Sequence, residues 1–245
     1  MPHRFFIPSD WLQPPIVRLQ GDTAHQIRNV LRMQPGDEVI VLDNSGSEWQ
    51  VRLTGIGKNT VVGQIVTRRM VVNEPKLHLT LYQAALKRER FEWVLQKGTE
   101  LGVSRFVPTV CQRSVVRNRA ALATKHTRWL RIIKEAAEQS GRGILPRLER
   151  AMSLVEAIAR AQGHDLIVMP WEEASGATLK EFLAKAEAKS VAVFIGPEGG
   201  FTQEEALLAH RFGAGLVKLG PRILRAETAG ITVCAAILYE MGEWD

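Results

Sequence analysis

Short hydrophobic runs separated by turn residues occupy residues 1–70, which is typical of a β-rich unit. A helix is predicted at 22–33, with Asp22 as its N-cap and an end before Pro35. Gly46 suits a hairpin turn at 43–46. The strands lie between turn residues, at 4–7, 16–19, 38–42, 49–53 and 60–66. Together these elements predict a small β-barrel.

The hydrophobic pattern changes near 72–75, where we predict the boundary between a domain at 1–72 and a domain at 73–245. Strand-like and helix-like periods alternate from there onward. The predicted strands are 77–81, 103–110, 166–169, 191–195 and 216–219. The predicted helices are 90–101, 121–139, 178–188, 203–211 and 227–241. This alternation indicates an α/β domain with a mostly parallel sheet covered on both faces.

The composition is that of an ordinary globular protein, with 245 residues, 45% hydrophobic and 24% charged. The apolar run near the N-terminus is too short for a signal peptide, and no stretch approaches the ~18 apolar residues of a membrane span. We therefore expect a cytoplasmic protein with no membrane partner. Cys111 and Cys234 lie outside any Cys-x-x-Cys pattern, so we expect buried thiols and no metal site.

Positive charge is concentrated in one part of the chain. The whole sequence has a net charge of +6, whereas residues 111–150 alone carry ten Lys and Arg against three acidic residues. A basic segment of this kind is typical of a protein that binds a polyanion, most simply nucleic acid. A solvated basic helix face is the alternative explanation.

Two segments rich in glycine and proline each join a predicted strand to a predicted helix, at 195–202 and 219–229. The first, Gly-Pro-Glu-Gly-Gly at 196–200, matches neither a P-loop nor a Gly-x-Gly-x-x-Gly motif, and Glu198 would repel a phosphate. A cationic or hydroxyl-rich ligand fits it better. The second offers an apolar wall that could hold a flat heterocycle. A tight turn and a capped helix start are the alternatives.

These two segments resemble the bacterial RsmE-type rRNA uridine N3-methyltransferases over essentially the whole chain. Three further motifs share the resemblance: 30–37, Lys-Gly-Thr-Glu-Leu-Gly-Val at 97–103, and 128–142. It implies a C-terminal SPOUT methyltransferase domain with a trefoil knot and an N-terminal PUA-like RNA-binding barrel. It also implies a homodimer, S-adenosylmethionine as methyl donor, and 16S rRNA within the small ribosomal subunit as substrate.

Other functions stay open beside this one. Another SPOUT-class enzyme acting on tRNA or on a ribose 2′-hydroxyl is the first alternative. A non-catalytic RNA-binding protein of ribosome assembly is the second. The resemblance implies a cofactor pocket formed by Met169, Trp171, Ile195, Gly196, Pro197, Glu198, Gly199, Gly200, Leu219, Gly220, Ile223, Leu224, Arg225 and Thr228.

Methylation at N3 of uridine requires loss of the N3 proton and stabilisation of the resulting negative charge. Arg225 is the candidate for charge stabilisation, because guanidinium does not lose its proton. Glu227, Glu138 and a water molecule are alternative proton acceptors. The candidates for RNA contacts are Arg4, His25, Arg28, Arg32, Gln139 and Arg142, although Gln139 and Arg142 could equally stabilise a dimer.

The chain departs from the family pattern at two positions. Ala226 stands where relatives often carry threonine, so a hydroxyl contact is missing there. Ala24 and His25 stand where many relatives carry two adjacent histidines, which leaves His25 as the RNA-contact candidate. Neither departure affects the two glycine turns.

Overall fold

The computed structural model describes residues 2–184 and 186–244. The chain forms two compact units. The first contains Met1–Glu74 and Ala137–Leu145, and the second contains Pro75–Ala136 and Pro146–Asp245. The predicted domain at 73–245 included 137–145, so the structure groups this short segment with a different part of the chain than the sequence pattern did.

The first unit is built on a sheet that, in the described residues, has six strands. These are β1 (His3–Phe6), β2 (Leu12–Gln13), β3 (Ile16–Gln20), β4 (Glu38–Leu42), β5 (Ser47–Ile56) and β6 (Thr60–Met70). Their order is β1-β4-β5-β6-β3-β2, with β1 and β4 parallel and the other pairs antiparallel. All five predicted strands are present, and β5 and β6 are longer than predicted because their pairing continues to Ser47↔Met70.

Helix α1 (Gly21–His25) follows β3 and continues as a π-helical turn at Gln26–Val30. The helical stretch therefore ends before the predicted limit of 33. Gln20 is the N-cap and Asp22 lies in the first turn, so the prediction of Asp22 as N-cap is wrong. A carboxylate in the first turn is still favourable, because it faces the positive end of the helix dipole.

The predicted hairpin at 43–46 is confirmed, since β4 and β5 pair antiparallel with Leu42 opposite Glu48. Gly46 has a φ of +83° and Asn44 a φ of +63°, the left-handed conformation that these two residue types adopt at least cost. The turn residues thus fix the register of the two strands.

Both faces of β1 and β4 are buried within the first unit. Phe5 and Val41 face the main apolar cluster, whereas Phe6 and Leu42 pack with Ala137 on the opposite face. Alternation along a strand sends neighbouring side chains to opposite faces, so segment Ala137–Leu145 covers the second face. This contact explains why that segment belongs to the first unit.

The second unit contains a parallel sheet that has seven strands in the part of the chain described. These are β7 (His78–Ala84), β8 (Arg105–Val110), β9 (Arg147–Leu148), β10 (Met152–Ser153), β11 (Leu166–Pro170), β12 (Ser190–Ile195) and β13 (Gly215–Val217). Their order is β10-β8-β7-β12-β11-β13, with β9 beside β8. The prediction of an α/β domain with a parallel sheet is confirmed, and the trefoil knot implied by the resemblance stays a prediction.

Helices of the second unit cover both faces of this sheet. They are α2 (Arg90–Leu101), α3 (Arg119–Ala123), α4 (His126–Ser140, whose last residues belong to the first unit), α5 (Leu154–Ala161), α6 (Leu179–Leu183), α7 (Gln203–Arg211) and α8 (Ala226–Glu240). Residues of α2 and α8 form one apolar cluster, and residues of α5 and α7 form the other. Along β12, Val193 faces the first cluster and Phe194 the second.

In the second unit, two predicted helices differ from the structure and one helix was not predicted. The helix predicted at 121–139 is divided into α3 and α4, and the Thr124 hydroxyl donates to the Ala121 carbonyl at the division. The helix predicted at 178–188 is only Leu179–Leu183, and Lys185 lies outside the described residues. Helix α5 was missed, although Ser153 and Glu156 form a capping box at its start.

Both cysteines are buried, as predicted. Burial raises the pKa of each thiol to about 12, so neither is a reactive thiolate. Within the described residues, no helix combines the length and the apolar character that crossing a membrane requires.

Candidate functional site

Three neighbouring parallel strands end side by side in the second unit. β11 pairs with β12 on one side and with β13 on the other. The backbone N–H of Trp171 donates to the carbonyl oxygen of Val217 over 3.0 Å, which joins two of these strand ends. Ligand sites in open α/β sheets form at such carboxyl ends. The structure thus brings together the segments predicted as pocket walls, namely 169–171, 195–200 and 219–228.

The first glycine turn, 196–200, leaves open space beside its last glycine. Gly200 has a φ of +69°, and its N–H donates to the carbonyl of Pro197 at 2.9 Å. A Cβ atom placed on Gly200 would meet nothing within 4 Å. Thr202 and Glu205 then form a capping box that starts α7. The turn is therefore held rigid from its helix side while a ligand can approach its glycine backbone.

The second glycine turn also leaves open space beside a glycine. Gly220 has a φ of +98°, and a Cβ atom there would also meet nothing within 4 Å. Arg225 is the N-cap residue of α8 and is exposed, as is Thr228 in the first turn of that helix. Ile223 is 79% exposed. Leu219 and Leu224 are half-buried beside these exposed residues.

Two predicted pocket residues have their side chains elsewhere. Met169 is fully buried and packs in the apolar cluster against α5 and α7, and Ile195 is buried in the cluster on the opposite face. Their side chains therefore build the core, and only their backbone atoms remain available to a ligand. Trp171 is half-buried, whereas Pro197 is buried.

Arg90, which was not predicted from the sequence, lies between two carboxylates of the site. Its Nη1 is 3.5 Å from Oε1 of Glu198, and its Nε is 3.7 Å from Oε1 of Glu227. Arg90 is the first residue of α2, where the helix dipole disfavours a positive charge. A positive side chain at the start of a helix is unfavourable unless acidic side chains lie near it. The position of Arg90 was therefore a signal in the sequence for acidic partners.

Arg113 is a second residue that the sequence interpretation missed at this site. Its Nη1 donates to the carbonyl oxygen of Gly199 at 3.0 Å and to that of Phe201 at 3.4 Å. In the sequence, Arg113 is only one residue of the basic segment 111–150. The structure instead places it across the first glycine turn, where it holds two carbonyl groups in position.

Glu227 lies in the first turn of α8 with its side chain 14% exposed. Its Oε2 is covered and has no hydrogen-bond partner in the described structure. An oxygen in this condition costs free energy unless a ligand or water donates to it. The Glu227 carboxylate can therefore accept a further hydrogen bond.

The structure gives Glu138 and Arg142 different roles from the predicted ones. Both belong to the first unit. The Glu138 carboxylate accepts the backbone N–H of Phe6 at 2.8 Å. Arg142 is 4% exposed and donates from Nη2 to Glu74 at 2.8 Å. Because these groups stabilise the first unit, we withdraw Glu138 as proton acceptor and Arg142 as a phosphate contact.

Comparison with known proteins identifies the family. The model described as an RNA methyltransferase domain matches residues 73–238, and the model described as an RNA methyltransferase PUA domain matches residues 19–66. The chain belongs to this RNA methyltransferase family.

Relatives of the family match almost the whole chain. Ribosomal RNA small subunit methyltransferase E of Bacillus subtilis is 33% identical, covering 93% of this chain and 91% of its own length. The protein of the same name from Synechocystis is 32% identical, covering 97% of this chain and 77% of its own length. The crystal structure of this methyltransferase from Neisseria gonorrhoeae, bound to S-adenosylmethionine, is 29% identical with a TM-score of 0.89 and full coverage of both chains.

Three predicted RNA contacts of this family member lie in the PUA-matched region and are exposed, namely His25, Arg28 and Arg32. Gln139 is also exposed. Arg4 is different, because its Nη2 lies 2.7 Å from Oε2 of Glu48 and its side chain is only 15% exposed. Burial raises the pKa of Glu48, but Arg69 and Arg4 outweigh burial and hold that pKa below its ordinary value. Arg4 therefore serves an internal ion pair, which corrects the prediction that it contacts RNA.

Proposed function

We propose that this protein uses S-adenosylmethionine to methylate N3 of a uridine in 16S rRNA of the small ribosomal subunit. The observation that carries the proposal is the pair of glycine turns after β12 and β13, the two strands that flank β11, with open space beside Gly200 and Gly220. Support also comes from family membership and from relatives named ribosomal RNA small subunit methyltransferase E.

The residues present fit this cofactor. The glycine turns let a flat adenosine approach the backbone, because no Cβ occupies the space beside Gly200 or Gly220. The Glu198 carboxylate suits the cationic sulfonium and amino groups and would repel a phosphate. We assign the cofactor to the backbone of 196–200 and 219–225. When bound, S-adenosylmethionine supplies an electrophilic methyl group.

Two side chains at the start of α8, those of Arg225 and Glu227, act on the uracil base. Arg225 donates to a uracil carbonyl and stabilises the negative charge that spreads over the ring when N3 loses its proton. Glu227, whose side chain is 14% exposed, accepts that proton through its carboxylate. A water molecule is the alternative acceptor.

RNA binding involves both units. The first unit is the PUA-like domain, proposed at 1–72, and it offers the exposed side chains His25, Arg28 and Arg32. The second, proposed at 73–245, brings the basic residues of 111–136, of which Arg128 and Arg131 are exposed although each also pairs with a glutamate. Phosphate contacts of this kind make affinity fall steeply with salt concentration.

We further propose a homodimer in the cytoplasm. Helix α8 is rich in apolar residues, which is typical of a helix that is buried over most of its surface. Ile231, Ala235 and Ala236 are only half-buried in the single chain, and Tyr239 is 66% exposed. A second copy of this chain would cover that face. Light scattering measures this directly, and a monomer at micromolar concentration would contradict it.

The test is methyl transfer from S-adenosylmethionine labelled in its methyl group. Purified protein is incubated separately with small ribosomal subunits, free 16S rRNA and tRNA, and the digested RNA is analysed by mass spectrometry. We expect 3-methyluridine in the small-subunit rRNA. Label in tRNA or in a 2′-O-methylated ribose would identify another SPOUT-class activity. Calorimetry that detects no cofactor binding would favour a non-catalytic assembly protein.

A further inference from the structure

A shallow groove of about 340 Å³ lies beside the glycine turns, within the second unit. The first turns of α2 and α8 form it, and its lining residues are Glu89, Arg90, Trp93, Glu227 and Thr228. Arg90 connects the groove to the first glycine turn through its contact with Glu198. The groove thus adjoins the proposed cofactor site but contains groups that the cofactor does not need.

Trp93 gives this groove an aromatic side. Its helix neighbours Phe91, Val94 and Leu95 point into the core, whereas Trp93 is 42% exposed. The fold therefore does not require an indole at this position for core packing. Exposed aromatic side chains in RNA-binding proteins stack on unpaired bases, because every base has a flat π-face.

The polar groups of the groove match the edge of uracil. That edge presents an N–H between two carbonyl groups. The Glu227 carboxylate lines the groove and can accept the N–H, and the Arg90 guanidinium, near Glu227, can donate to a carbonyl. Cytosine presents a lone pair at N3 instead of a proton, so the same carboxylate would repel it. The groove therefore favours uracil over cytosine.

We propose that this groove is the subsite for the target base, with Trp93 stacking on the uracil ring and Arg90 donating to one of its carbonyl groups. The proposal rests on the proposed function, since it concerns the base that receives the methyl group. It adds two binding residues, on α2, to the residues already assigned at the glycine turns and α8. The base reaches the groove only when it is flipped out of the RNA.

Substitution of Trp93 tests the stacking contact. In Trp93→Ala we expect kcat/KM for the RNA to fall roughly 10-fold or more at saturating S-adenosylmethionine, while cofactor affinity by calorimetry stays unchanged. Trp93→Phe keeps a flat ring and should recover most of the loss. Phe212→Ala removes an aromatic side chain of similar exposure outside the groove, and serves as the matched control.

A photocrosslink provides a readout other than activity. The uridine that the wild-type protein methylates is first located by mass spectrometry and is then replaced by 5-iodouridine in an rRNA fragment. Irradiation should join this base to a tryptic peptide that contains Trp93. A crosslink only to peptides without Trp93 or Arg90 would overturn the proposal.

The outcomes separate this proposal from the proposed function. If wild-type protein neither binds S-adenosylmethionine nor methylates rRNA, the proposed function itself fails. If the wild type is active and Trp93→Ala keeps full kcat/KM for the RNA, only the base subsite fails. If Trp93→Ala becomes monomeric by light scattering and loses activity for that reason, Trp93 belongs to an interface between copies, which also overturns the subsite.

Discussion

The Nη1 atom of Arg113 donates to the carbonyl oxygen of Gly199 over 3.0 Å, so a side chain from the loop after β8 holds the glycine turn after β12. The same atom lies 3.4 Å from the carbonyl oxygen of Phe201. One guanidinium group therefore restrains the turn at two positions. Because the turn offers its backbone to the cofactor, its shape and the cofactor affinity should depend on Arg113.

We expect Arg113→Ala to weaken S-adenosylmethionine binding about fivefold, since charged hydrogen bonds at an exposed site contribute on the order of 1 kcal/mol. Calorimetry measures the affinity, and thermal unfolding should show only a small loss. Arg119→Ala removes another exposed arginine, paired with Glu156, and should leave cofactor affinity unchanged. Equal weakening in both variants would show that general charge, rather than the contact with the turn, is responsible.

Gly220→Ala tests two effects of an added side chain, namely backbone strain, which lowers stability, and loss of space for the cofactor, which lowers affinity. The φ of +98° makes any side chain there unfavourable by about 1–2 kcal/mol, although no atom lies within 4 Å of the added Cβ. We expect a modest loss of stability and a larger loss of cofactor affinity, because the methyl group enters the space beside the turn. Gly163→Ala, also in open space but without a positive φ, should be close to neutral in both measurements.

Features of the fold that depend on residues close together in the sequence were predicted successfully. The limits of β4, α2 and α7 were predicted to the residue, because turn residues and caps next to each element define its ends. The glycine turns were located for the same reason. Helix α5 was missed although its local signals are present, namely the capping box and buried residues at helical spacing at 154, 157, 158 and 161.

Contacts between distant residues could not be predicted in this way. The partners Arg113 and Gly199 are 86 positions apart, and Arg142 and Glu74 are 68 apart. In the sequence, each arginine is one basic residue among many in 111–150, and nothing local distinguishes a turn clamp or a buried ion pair from an RNA contact. Only the folded structure brings the partner groups together and so separates these roles.

Glu227→Gln tests the proton acceptor. The amide keeps the size of the side chain but cannot accept a proton, so kcat should fall roughly 100-fold or more if Glu227 is the base. Cofactor affinity by calorimetry should change little. A kcat close to that of the wild type would identify water as the acceptor. Glu173→Gln, on an exposed loop residue of the same unit, is the matched control.

His164 should make stability depend on pH. Its Nδ1 lies 3.0 Å from the carbonyl of Ala161, which can only accept, so Nδ1 carries the proton and Nε2 accepts from the Thr80 hydroxyl at 2.9 Å. This neutral ring is favoured because burial is the main factor that lowers the pKa of His164 below its ordinary value of 6.5. The unfolded chain then binds the proton more tightly than the folded one.

The stabilisation from His164 is therefore fully present above about pH 6.5 and is lost as the pH falls towards the lowered folded-state pKa. Burial lowers the pKa of the neighbouring His78 as well, so its contribution has the same sign. Denaturant unfolding from pH 8 to 5 should show a smaller pH dependence in His164→Gln than in the wild type. His25→Gln, which removes an exposed histidine, should retain the wild-type dependence.

Removal of Arg28 should change RNA affinity, whereas removal of Arg142 should change the free energy of unfolding. Arg28 is exposed in the PUA-matched region, so Arg28→Ala should weaken rRNA binding and reduce the slope of log affinity against log salt by about one phosphate contact. Arg142→Ala breaks a buried pair with Glu74 and should destabilise the protein by about 2–3 kcal/mol. Filter binding at several salt concentrations and urea unfolding measure the two effects. If Arg142→Ala instead reduces the salt slope while stability is unchanged, Arg142 contacts RNA after all, and the role given to it by its ion pair is incorrect.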